Sequence, residues 1–291
     1  MPVGVFRGRA CDQPSRRTGD SLYLPSRLKF DSARAKLGKL PYHPDERTFF
    51  LSNYIREEIH VPGAFNFDRH RRPLPHRSWG NGLWNNSVIA SQANQLLRFE
   101  RIEQRQTIVL ADSDAISRYK QFTGSVAPED TRDTGTTVLD VFRNWRNQGW
   151  TLTTKAGVEK NYKIDAYGEL EPNDQAGLRA ACYTMHGIHI GFWLPLAAID
   201  MAYEGYWRVR GESGPQWEPG TWGGLLAYAR AYDPDGFEIL AWGTPIWVSN
   251  QFIERYADEV WAVVASFMDW RASQAIDVPA IQSKQFEISK G

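Results

Sequence analysis

Only two cysteines, Cys11 and Cys182, occur in the 291 residues. They are too few for a disulfide framework, and no Cys or His group stands at metal-ligand spacing. Long apolar runs are missing too. No stretch approaches the ~20 apolar residues of a membrane span, and the opening MPVGVFRGRACDQ has no apolar signal core. A protein made in the cytosol is expected, with no metal, no other cofactor and no membrane span. The glycine patterns that cradle phosphates or dinucleotides are absent, and so is any internal repeat. Net charge is absent as well, with 34 Lys and Arg against 34 Asp and Glu.

That zero is unevenly spread. Residues 1–40 carry nine Arg and Lys against Asp12, Asp20 and Asp31. Residues 1–50 lack periodicity and are rich in Arg, Ser, Gly and Pro, which predicts an extended basic arm ahead of a domain over 51–291. Such an arm suits docking on an acidic protein face or on nucleic-acid phosphate, or it is a solvated tail.

Twelve tryptophans are what the chain has in plenty. Most should fill a core, since each buries a large apolar area. Trp217 and Trp222 flank a loop rich in Pro and Gly, GPQWEPGTWGG. With Trp207 they form a candidate platform for stacking on sugar rings; the other reading is a loop closed over the core.

Periodicity predicts helices first. NNSVIASQANQLLRFERIEQ, VLDVFRNWRNQGW and NDQAGLRAACYTMH have apolar residues at helical spacing. Asn85, Asn86, Asn173 and Asp174 stand as caps, and Gly149 as a stop. From GIHIGFWLP onward the period changes to two. LLAYARAYD and GFEILAWG read as a strand pair joined by DPDG, SNQFIERYADE as a short helix, and VWAVVASF as a last strand. DPDG suits a tight turn rather than a calcium loop, whose further ligands are missing. Helices followed by an antiparallel sheet define an α+β fold, with N-terminal helices packed on a C-terminal sheet.

The order and spacing of these segments resemble the papain-like cysteine peptidases, in a branch found in bacteria and their phages. There the nucleophile motif runs Gly-Asn-Asp-x-x-Gly-Asp-Cys-x-x-Ala; residues 80–90 here read GNGLWNNSVIA. WRNQGW, KIDAYGEL and WGGLLAYARAYDPDGFEILAWG resemble later family segments, the last of which normally carries Gly-Gly-His and a polar residue two before Trp-Gly. The resemblance implies four site positions. Asn81, an amide able to bind an oxyanion, keeps its role. Ser87 stands for the cysteine, Leu225 for the histidine and Leu240 for the orienting residue. A base contributes roughly 10²–10⁴-fold, so a serine without one should be inert. His186 and His189 are the nearest substitutes, and three residues apart on a strand they face opposite sides.

These positions imply a non-enzyme on a peptidase fold, with all four as vestiges. The resemblance to phage proteins implies a virion component of a tailed phage, made in the host cytoplasm and contacting other virion proteins through the arm and aromatic surfaces. The alternatives are a module binding a peptide or glycan, and a hydrolase using Ser87.

Overall fold

A computed structural model describes residues 30–45, 48, 50–54, 60–68, 74–102, 109–154, 156–211, 213–265, 277, 279–281 and 283–284, without the side chains of 52 and 100–102. The basic arm lies outside the described residues as far as 29, and with it the expected contacts with virion proteins or nucleic acid. Residues 30–45 do not project from the domain. Phe30, Ala35, Gly38 and Lys39 are buried against it.

Six α-helices stand among the described residues: α1 (Ser87–Ile102), α2 (Asp112–Thr123), α3 (Val138–Asn147), α4 (Gln175–Thr184), α5 (Ala198–Glu204) and α6 (Asn250–Tyr256). Side-chain caps start three of them. Thr137 accepts from the Asp140 amide, Asp174 from Gly177 and Ser249 from Phe252. Asn85 and Asn86 precede α1 as foreseen, but their side chains are used elsewhere. The Asn85 amide nitrogen donates to the Asp133 carbonyl at 2.7 Å and that of Asn86 to the Trp79 carbonyl at 2.9 Å. They tie neighbouring loops to the helix start.

Ten strands follow the period-two reading and extend it: β1 (Phe65–Asn66), β2 (Trp150–Thr153), β3 (Glu159–Tyr162), β4 (Ala166–Leu170), β5 (Ile188–Leu194), β6 (Tyr206–Trp207), β7 (Gly223–Asp233), β8 (Gly236–Ala241), β9 (Thr244–Ser249) and β10 (Ala257–Val264). The main sheet runs β4-β10-β5-β7-β8-β9-β6, with β1 beside β7. Every pair is antiparallel except β6 with β9. The last strand therefore sits inside the sheet. In DPDG, Asp233 Oδ1 accepts from the amides of Asp235 (2.7 Å) and Gly236 (3.2 Å), which makes it a hairpin turn.

The α1 helix lies across β7 and is buried from Ser87 to Phe99, polar residues included. Each turn bonds to a different part of the molecule. Asn94 accepts from Trp79 Nε1 at 3.0 Å, Gln92 from Arg118 Nε at 2.8 Å, and Arg98 donates to Asp68 at 2.8 Å. Burying a polar helix face is tolerable because these groups find partners inside. No helix among the described residues is long and apolar enough to cross a membrane.

Candidate functional site

The amino end of α1 and the start of β7 flank a cleft that residues 36–40 occupy, pairing with its walls through their backbone. On the sheet side, Gly38 and Lys39 donate to the Gly224 carbonyl at 3.1 and 3.0 Å. On the other side, Thr136, just ahead of the α3 cap, donates to the Gly38 carbonyl at 3.0 Å, and Leu40 donates to the Thr136 carbonyl at 3.1 Å. Trp242 Nε1 closes over the Lys36 carbonyl at 2.6 Å. Glycine is required at 38, where φ is +114° and a Cβ would stand 2.0 Å from the Asn85 carbonyl oxygen.

Two donors converge on one oxygen of this segment. The Leu37 carbonyl accepts from Asn81 Nδ2 at 3.1 Å and from the Ser87 amide, the first of α1, at 3.2 Å. Asn81 is held in place by burial and by a second donation, to the Trp84 carbonyl at 3.0 Å. A side-chain amide beside a helix N-terminal amide is the arrangement that stabilises a carbonyl oxygen or the oxyanion it becomes.

The other expected site positions are Ser87, Leu225 and Leu240. Ser87 Oγ accepts from the Leu226 amide at 3.3 Å, which sets its hydroxyl against the first residues of β7. Leu225 is buried opposite Phe192, and Leu240 opposite Tyr228. Among the described residues no imidazole bonds to Ser87. His186 is not on the strand: it precedes β5 with φ +54° and packs on Phe67 at 5.1 Å between ring centroids.

One turn further along α1 stands an arrangement that the sequence did not announce. Ser91 Oγ lies 2.7 Å from His189 Nδ1, and His189 Nε2 meets Gln95 Oε1. The Gln95 oxygen can only accept, so Nε2 carries the proton and Nδ1 accepts from the Ser91 hydroxyl. All three are buried, at 1 %, 0 % and 0 % exposure, so no substrate reaches them. They bridge α1 to β5. Replacing Ser91 by alanine should leave Nδ1 unpaired and cost about 1–3 kcal/mol in denaturant unfolding.

Burial lowers the His189 pKa from 6.5 to about 3. Between these values the unfolded chain binds a proton that the folded chain refuses. Stability contributed here is full above pH 6.5 and declines as pH falls toward about 3. Thermal unfolding across that window should fall by up to about 1.4 kcal/mol per pH unit more steeply in the native chain than in His189→Gln.

Beyond the cleft the segment is anchored by carboxylates. Lys39 Nζ meets Asp258 Oδ2 and Glu259 Oε1, both at 2.8 Å, with its side chain fully buried. Tyr42 donates to Glu169 at 2.8 Å. Burial first, then the charges of Glu259, Glu171 and Asp45, push the Glu169 carboxyl up to about 7, against the Tyr42 hydrogen bond. A cavity of about 480 Å³ opens here, lined by residues that include Tyr42, His43, Asp140 and Glu259. Among the described residues no group of three or more His, Cys, Asp or Glu could hold a metal.

The tryptophan platform does not form as expected. Trp207 is wholly buried, donates to the Ala198 carbonyl at 3.0 Å and stacks on Phe252 at 5.4 Å. It cannot meet a ligand, because its β6 strand faces it into the core beside β9. Trp222 and Trp217 are half-buried against the core, and Trp222 lies 5.4 Å from the Trp242 ring.

No family model matches the sequence, and no curated protein matches it either. Solved structures do match. Xylellain, a cysteine protease from Xylella fastidiosa, gives a TM-score of 0.57 at 16% identity, covering 80% of this chain and 97% of that one. A procathepsin B from Trypanosoma congolense gives 0.51 at 12% identity, covering 80% and 87%. The cysteine protease and lectin-like domains of a surface-layer-associated protein of Clostridium difficile give 0.51 at 11%, covering 80% and 56%. The chain has the papain-like α+β fold. The expectation of a non-enzyme is corrected by these matches. The structures that share its fold are cysteine proteases, so leucine at two positions is no ground for calling it a non-enzyme. Catalytic groups are defined by geometry and role rather than by sequence position.

Proposed function

We propose that this protein acts on polypeptides, gripping an extended chain by its backbone in the cleft between α1 and β7. The observation that carries this reading is the Leu37 carbonyl, held jointly by Asn81 Nδ2 and the Ser87 amide. Around it the same backbone segment pairs with Gly224 on one side and Thr136 on the other. Main-chain pairing of this kind gives affinity without depending on side chains. A donor pair of this kind also suits the oxyanion of an acyl-transfer step, which makes hydrolysis the second reading. Ser87 is as buried as Ser91, and among the described residues no imidazole bonds to it, so this reading requires residues 36–40 to be displaced and a base to be supplied.

One assay separates the possibilities. The full chain carrying Gly38→Val, in which residues 36–40 cannot seat, is mixed with a proteome-derived peptide library. Retained and cleaved peptides are identified by mass spectrometry. Retention of extended peptides supports the reading, and new termini among them support hydrolysis. Asn81→Ala added to this variant should weaken retention about fivefold, the worth of one hydrogen bond near 1 kcal/mol. Any cleavage should slow by about 10²–10³-fold in the same variant. A folded Gly38→Val protein that neither retains nor cleaves any peptide would defeat the proposal.

A further inference from the structure

We infer that residues 36–40 stand in for the ligand, and that the cleft selects a polypeptide in which glycine is followed directly by lysine. The inference rests on the polypeptide reading above and adds the ligand's chemistry and its competitor.

Glycine is demanded by the helix side. A side chain at the position of Gly38 would run into the Asn85 carbonyl. Lysine is demanded by the sheet side. The three protons of the Lys39 ammonium have three acceptors: two on the sheet, Asp258 Oδ2 and Glu259 Oε1 at 2.8 Å, and one the segment's own Leu40 carbonyl at 3.2 Å. Trp193 lies 5.8 Å from the same ammonium. Room for the lysine stem exists because Gly191 lies below it; a Cβ there would stand 3.1 Å from Lys39 Cδ and Cε. A planar guanidinium with five donors does not match this three-acceptor cup, so the site distinguishes lysine from arginine.

Residues 36–40 are held by backbone pairing, by the buried Lys39 ammonium, by a Lys36–Glu129 ion pair at the surface and by Leu37, which packs half-buried on the core. Another chain with the same two residues can make the same contacts. Residues 36–40 then act as a resident competitor that such a ligand must displace.

The test uses the full-length Gly38→Val protein and the synthetic peptide RAKLGKLPYH, which copies residues 34–43. Three further peptides carry alanine for the glycine, methionine for the lysine and arginine for the lysine. Fluorescence anisotropy should show binding of the parent and at least ~tenfold weaker binding of each relative, the scale of losing charge-assisted hydrogen bonds. Equal binding of all four overturns the selectivity and leaves the polypeptide reading standing. Binding of none, together with an empty peptide library, overturns that reading itself. If Gly38→Val does not fold, hydrogen exchange on the native chain replaces it. Millimolar parent peptide should then speed exchange at the amides of residues 38–40, and unchanged exchange counts against the inference.

Discussion

Lys39→Leu is expected to destabilise the protein by about 3–5 kcal/mol at neutral pH, the cost of leaving a buried ion pair without one partner. Lys39 is 3 % exposed and Glu259 5 %, and the lysine ammonium is bonded to two carboxylates. Burial already pushes the Glu259 carboxyl above its ordinary range, while Lys39 pulls it back. With the lysine gone, burial acts almost unopposed, and the folded chain keeps a proton on Glu259 that the unfolded chain releases. The folded state then binds more protons, so stability falls as pH rises through the window above the usual carboxylate range. The variant should therefore recover part of its loss at pH 5 relative to pH 8. Adding Glu259→Gln should restore part of the remainder, because a neutral amide costs less to bury than an unpaired charge. Chemical denaturation of the four proteins of this cycle at both pH values is the measurement. Equal losses at the two pH values would contradict the assignment of Glu259 as the stranded group.

Trp207→Ala is expected to cost about 3–5 kcal/mol, the range for removing a large aromatic from a packed core. Its ring touches Phe192, Trp242 and Phe252, with centroids 5.6, 6.3 and 5.4 Å away, and its N–H is satisfied by Ala198. A ligand platform behaves in the opposite way: its loss removes binding and leaves stability nearly unchanged. Calorimetry of Trp207→Ala beside Trp222→Ala makes the contrast within one protein. The half-buried Trp222 should give the smaller loss, since less of its surface is withdrawn from water. An unaltered melting point for Trp207→Ala would return that residue to the list of surface groups.

Local chemistry was readable wherever it depends on neighbours in sequence. The period of apolar residues marks α1, α3, α4, β5 and the β7–β8 hairpin, and Asp174 and the DPDG turn use hydrogen bonds that span only a few residues. The helices α2 and α5 and the strands β1, β2, β3, β6 and β9 were not picked out. α2 has only Ala115, Arg118 and Tyr119 buried, too sparse a stripe for periodicity to show. Of the site, Asn81 and Ser87 were singled out through resemblance; the Asn81 side-chain amide and the Ser87 backbone amide meet at the Leu37 carbonyl.

What the sequence determined by itself is the order of elements and the chemical kind of each site residue: an amide at 81, a hydroxyl at 87, apolar side chains at 225 and 240. What only the tertiary structure decided is which groups meet. Residues 30–45 look like part of a basic arm, because charge, proline and missing periodicity are all a local reading can register. Leu37 lies 44 positions before Asn81 in its hydrogen bond, and Lys39 lies 220 before Glu259. Pairings at such separations leave no periodic trace along the chain. They arise when the sheet and α1 close into a cleft whose unpaired backbone groups need partners, and residues 36–40 supply them.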